Sequence, residues 1–174
     1  ISEESYYVAM VADKMYCNPI GGAEWDGFSV NLLFMKGLLD KLEIDPQIFY
    51  AGKFKSATEP LRVTQMTDAN RLQTTVWLND LYNNLLLRTA ATRNIDTATL
   101  HQLANTGAIQ TANDAVKYHL IDGVKYDDEV KDDLLKRLRK SAKDEIKWVS
   151  LGNYANALNF QSNGKGGKVD MIYA

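Results

Sequence analysis

The chain has 174 residues, 45% of them hydrophobic and 24% charged, enough for one globular domain with a buried core. Its formal charge of −2 gives no general basic field, which argues against nucleic acid as a partner. Its one cysteine, Cys17, excludes an internal disulfide and a multi-cysteine metal site, and no apolar run approaches the roughly 18 residues of a bilayer span.

Ser2, with Glu3 and Glu4 behind it, predicts a helix start: a capping hydroxyl with acids in the first turn. Tyr6, Tyr7, Ala9, Met10 and Ala12 carry that helix to about Asp13. Lys14 to Cys17 predicts a short strand, stopped by Asn18-Pro19 and Gly21-Gly22, with Cys17 as an inert core residue. Trp25-Asp26-Gly27-Phe28 predicts a further short strand or turn that puts Trp25 and Phe28 in the core. From Asn31 to Leu42 the residues Leu32, Leu33, Met35, Leu38, Leu39 and Leu42 have helical spacing. Glu43 to Ala51 then returns to a strand, a helix–strand–helix–strand order typical of α/β layering.

The longest helix is expected from about Thr67 to Arg93. Thr67 caps it, and Leu72, Val76, Leu78, Leu81, Leu85 and Leu86 mark its buried side. Asp96 caps a helix through Leu103, Thr111 caps another through His119, and Ile121-Asp122-Gly123-Val124 is its exit. His101 and His119 fall in polar helical stretches and are read as surface residues. Asp127 to Lys140 is a charged amphipathic helix with Val130, Leu134, Leu135 and Leu138 on one face. Lys147 to Ser150 predicts a strand, Tyr154 to Leu158 a short helix, and Ser162 to Gly167 a flexible linker before a strand from Lys168 to Ala174. Gly164-Lys165-Gly166-Gly167 lacks the Gly-Lys-Ser/Thr ending of a phosphate loop. No motif calls for a metal or a cofactor. The opening on Ile1 and the closing strand suggest a piece of a longer protein.

The segment Gly52-Lys53-Phe54-Lys55-Ser56-Ala57-Thr58-Glu59-Pro60 follows the apolar run Ile48-Phe49-Tyr50-Ala51. A lysine at the end of a buried strand loses hydration, which favours the neutral amine, and a neutral amine is a base. Lys55 is the candidate base, and Ser56 beside it is a candidate hydrogen-bond partner of the amine. The plain alternative is that Lys55, like most lysines, is a solvated surface group.

That segment, together with Tyr6-Tyr7-Val8-Ala9-Met10-Val11-Ala12-Asp13-Lys14-Met15-Tyr16-Cys17-Asn18-Pro19, resembles the signal peptide peptidase A (protease IV) family. Gly27-Phe28, Leu38-Leu39-Asp40-Lys41-Leu42, Thr111-Ala112 with Ala115, and Leu120-Ile121-Asp122 add to the likeness, which extends to about Asp128. The resemblance implies an α/β chain forming part of a crotonase-like, or ClpP-like, fold of ββα units with a helix-rich C-terminal part. In the long bacterial form two such halves lie in tandem; the first gives the lysine of a Ser-Lys dyad and the second gives the serine. Residues 1–128 would then be the later part of the first half, residues 129–161 a connecting helical region, and residues 162–174 a linker and the first strand of the next half.

By the same resemblance Lys55 is the general base of a serine endopeptidase that degrades cleaved signal peptides. The parent would be a tetramer at the bacterial inner membrane, with its catalytic part facing the periplasm. In the second half of the family the serine stands three residues before the aromatic that starts the helix. The corresponding position here is Glu3, which has no hydroxyl, so the isolated chain is expected to be inactive. Arg62 directly follows Leu61, off the family's arginine position, and inherits no role. The alternative from another class is a non-catalytic scaffold or oligomerisation module of the same fold. A crotonase-type acyl-CoA enzyme would need oxyanion amides and a catalytic carboxylate that the sequence does not locate.

Overall fold

Ser2 begins the fold as its sequence predicts. Its hydroxyl accepts from the Ser5 N–H at 3.3 Å, and α1 spans Glu3–Ala9. The computed structural model describes residues 1–141 and 143–157. α1 stops short of Asp13 because the Val11 and Ala12 amides bond three residues back, to Val8 and Ala9, tightening the helix out of its register. β1 (Tyr16–Cys17) follows, then α2 (Lys36–Lys41), α3 (Glu59–Arg62), α4 (Asp68–Arg93), α5 (Thr97–Thr106) and α6 (Ala112–Lys117). β2 (Gly123–Val124), α7 (Asp127–Arg137) and α8 (Leu151–Ala157) complete the order. The chain divides into two compact units, Ile1–Val130 and a second that begins at Lys131.

In the first unit β1 and β2 pair in parallel, Tyr16 with Gly123 and Cys17 with Val124. The expected helix exit at residues 121–124 is therefore half of the sheet. The core gathers around it. Tyr6 meets Trp25 edge-on at 5.6 Å between ring centres, and its hydroxyl donates to the Leu120 carbonyl at 2.7 Å. Trp25 Nε1 donates to the Leu100 carbonyl at 2.9 Å, so both buried aromatics satisfy their polar atoms. Leu85, Leu86, Leu103, Ala112, Ala115, Ile121 and Cys17 belong to the same buried cluster.

The helix caps form as expected. The Thr67 hydroxyl accepts from the Asn70 N–H, the Asp96 carboxylate from the Thr99 N–H, and Thr111 with Asp114 makes a reciprocal capping box. Residues 25–28 take the turn of the two forms expected, bending at Asp26 with Gly27 at φ 87°. Three expectations fail. Residues 43–51 form no strand: Glu43 takes a left-handed backbone (φ 57°), Phe49 is 93% exposed, and no neighbouring strand among the described residues supplies a ladder. The helix over residues 31–42 shrinks to α2, which buries none of its side chains. Of the six apolar markers on α4 only Leu85 and Leu86 are buried, whereas Leu72, Val76 and Leu81 face solvent. Spacing defines a face; burial needs something packed on it.

In the second unit Leu135 is buried, and the Lys140 N–H bonds to the Leu135 carbonyl at 2.9 Å. α7 ends at Arg137, ahead of the predicted Lys140, and Arg139 turns left-handed (φ 55°). Residues 147–150 form no strand. The predicted linker and closing strand, residues 162–174, lie outside the described residues, as does Leu158.

Candidate active site

Lys55 lies on a loop that the sequence builds with a left-handed glycine. Gly52 adopts φ 98°, and the chain turns back so that the Lys55 N–H points at the Gly52 carbonyl at 3.4 Å. The side chain is exposed, in contrast to the buried strand end expected from Ile48-Phe49-Tyr50-Ala51. Its ammonium forms no ion pair or side-chain hydrogen bond among the described residues. Ser56 is half-buried and contributes its carbonyl, which accepts from the Glu59 N–H at 2.9 Å; its hydroxyl does not bond the Lys55 amine.

Four residues after Lys55 stands a carboxylate that sequence reasoning passed over. Glu59 is only 2% exposed. It accepts from the Thr67 hydroxyl, from the Thr67 N–H at 3.2 Å and from Asn70 Nδ2 at 2.8 Å. The Arg62 guanidinium stands 3.7 Å from it. Burial works against the charge, but these bonds and the Arg62 charge outweigh it and hold the carboxyl below its ordinary range. The same guanidinium lies 4.0 Å from the centre of the Tyr50 ring, a close cation–π contact. The Pro60 carbonyl accepts from the Met35 N–H at 2.7 Å, just ahead of α2. Arg62, to which the resemblance assigned nothing, thus joins the two ends of the lysine loop. Glu59 is an acid eight residues before a Thr cap and eleven before a buried Asn, but it lies in α3 and they lie at the start of α4, so no single element's period links them.

Glu3, in the register where the resemblance looked for a serine, is 6% exposed and structural. Its Oε1 accepts from the Asp26 and Gly27 amides at 3.0 and 2.7 Å, fixing the bend that carries Trp25. Burial pushes its pKa upward against those two bonds. Beside it an apolar groove of about 450 Å³ runs between α1 and α4, lined by Tyr7, Val8, Phe28, Trp77 and Leu81. Ser2 and Ser5 bond each other at 3.1 Å and serve the α1 cap. His101 is exposed, as is His119; its ring nitrogens meet the Tyr82 hydroxyl at 3.1 Å and the Asn105 amide at 3.0 Å. Among the described residues no cluster of three His, Cys, Asp or Glu side chains could hold a metal ion, and no helix is long and apolar enough to cross a membrane.

An exposed lysine on a braced loop, carried by a helical body around one parallel strand pair, is set among the peptidases by comparison with known proteins. The chain belongs to peptidase family S49, which it matches over residues 2–143. It is 30% identical over 181 positions to Protease 4 of Salmonella typhi, an alignment that covers 99% of this chain and 29% of that protein. Against Protease 4 of Haemophilus influenzae it is 38% identical over 94 residues, covering 54% of this chain and 15% of that protein. Against the chloroplastic serine protease SPPA of Arabidopsis thaliana it is 25% identical over 165 residues, 95% of this chain and 24% of that protein. The chain therefore spans less than a third of the length of these curated relatives.

Proposed function

We propose that this chain supplies Lys55 as the general base of a Ser-Lys dyad in a serine endopeptidase that degrades cleaved signal peptides. The observation that carries the reading is the Lys55 loop. It lies inside the family match, is braced at both ends, and presents an ammonium with no carboxylate partner among the described residues. A lysine tied up in an ion pair would be a poor base; this one is left available.

In the proposed reaction the neutral amine takes the proton of a serine hydroxyl as the oxygen attacks the peptide carbonyl. The lysine then passes that proton to the departing amine, and water releases the acyl group from the serine. Backbone amides elsewhere in the full-length protein would stabilise the oxyanion. Lys55 is exposed in this chain, so its desolvation is proposed to come from what covers the loop: the second half of a tandem crotonase-like, or ClpP-like, protein together with the bound peptide. The full-length protein is proposed to be a tetramer at the bacterial inner membrane, active toward the periplasm. No cofactor enters this scheme.

Lys55→Ala in the full-length protein is expected to abolish peptide hydrolysis and leave folding intact; a fully active variant removes the reading. A scaffold or oligomerisation module on the same fold is the second reading, favoured by the exposed apolar side chains of Leu72, Val76 and Leu81 along α4. It predicts that same active variant.

A further inference from the structure

A general base must be held in place, and the Lys55 side chain makes no contact of its own that would do so among the described residues. Lys55 sits on an exposed turn with one long backbone hydrogen bond. Whatever precision the loop has must come from its ends. The Tyr50 end is held by the Arg62 guanidinium. The Glu59 end is held far more strongly, by a buried carboxylate that takes three hydrogen bonds from two residues in the first turn of α4. The Thr67 hydroxyl is engaged twice: it donates to Glu59 and accepts the Asn70 N–H with the same oxygen. Asn70, itself buried, gives Nδ2 to Glu59 and accepts the Thr74 hydroxyl on Oδ1 at 3.1 Å, which fixes the orientation of its amide.

We infer that Glu59 is a positioning residue for the proposed reaction: by locking onto Thr67 and Asn70 it holds the Lys55 loop at the start of α4, the one long rigid element nearby. The inference rests on Lys55 being the base. A merely structural role for Glu59 would need only that the protein stay folded. A positioning role requires that turnover fall in protein that is folded and still binds peptide, because misplacing a reacting group by about 1 Å can cost on the order of 100-fold.

The test uses the full-length protein with Glu59→Ala, Glu59→Gln and Lys55→Ala, assayed on one peptide substrate for kcat and KM, with thermal melting to establish the folded fraction. Glu59→Ala is expected to lower kcat about 10- to 100-fold per folded molecule while KM stays within about twofold. Glu59→Gln keeps the shape and one acceptor oxygen and is expected to fall between, at least about threefold below the unaltered protein. Inactive Lys55→Ala beside a folded Glu59→Ala of unaltered kcat overturns the positioning role and leaves the dyad standing. An active Lys55→Ala removes the dyad itself. Should Glu59→Ala fail to fold, Glu59→Gln decides, and unaltered kcat in that variant overturns the inference.

Discussion

Arg93 Nη1 donates to Asp122 Oδ2 at 2.9 Å, tying the last turn of α4 to the residue that leads into β2. Asp122 also takes the Met15 N–H at 2.8 Å and Lys14 Nζ at 2.9 Å, so one carboxylate joins α4, β2 and the approach to β1. Burial opposes its ionisation, yet the bonds from Arg93, Lys14 and the Met15 amide bring its pKa down to about 2. A depressed carboxyl stabilises the fold fully above its ordinary pKa and loses that contribution as pH falls through the folded value. Unfolding free energy is therefore expected to drop by about 2 kcal/mol between pH 4 and pH 2 from this group. Asp122→Asn is expected to be less stable at pH 7 and to show a flatter acid limb in denaturant titrations. An unchanged acid limb would contradict the assignment.

Tyr6 tests the core. Tyr6→Phe keeps the ring against Trp25 but leaves the buried Leu120 carbonyl without its donor. A loss of about 1–2 kcal/mol is expected in urea unfolding. Tyr7→Phe, on the exposed side of α1, should stay within about 0.5 kcal/mol of the unaltered chain. Equal losses for the two would mean that the Tyr6 bond carries no net stability.

The exposed α4 face makes the opposite prediction. Leu72→Gln, Val76→Gln and Leu81→Gln remove apolar side chains that are half exposed in this chain, and each is expected to cost no more than about 1 kcal/mol. A loss of 2 kcal/mol or more in the isolated chain would show that something packs on that face.

Without a serine in the Glu3 register, the isolated chain is expected to release no product from a peptide substrate. Hydrolysis by the pure chain that Ser5→Ala abolishes would place a nucleophile where the structure places a helix cap.

The caps were legible in the sequence because they are local: Ser2, Thr67, Asp96 and Thr111 each bond an amide within three residues. Residues 43–51 differ from the expected strand because an apolar run becomes a strand only beside a partner, and none among the described residues pairs with it. The apolar spacing of α4 likewise fixed a face without fixing its burial. The buried setting that the apolar run before Lys55 suggests is not the one the structure gives it, and the role proposed for it rests on the family resemblance. Glu59 was not legible because its partners lie across a loop, in a different helix, where no element's period links them.

The most direct test of the central claim is Lys55→Met in the full-length protein, which keeps a long unbranched side chain and removes the amine. Because Lys55 is exposed and makes no ion pair among the described residues, the melting temperature should not move. Peptide hydrolysis per folded molecule should fall by about 100- to 10,000-fold, the range a general base contributes. Turnover within twofold of the unaltered protein, at the same melting temperature, would contradict the account.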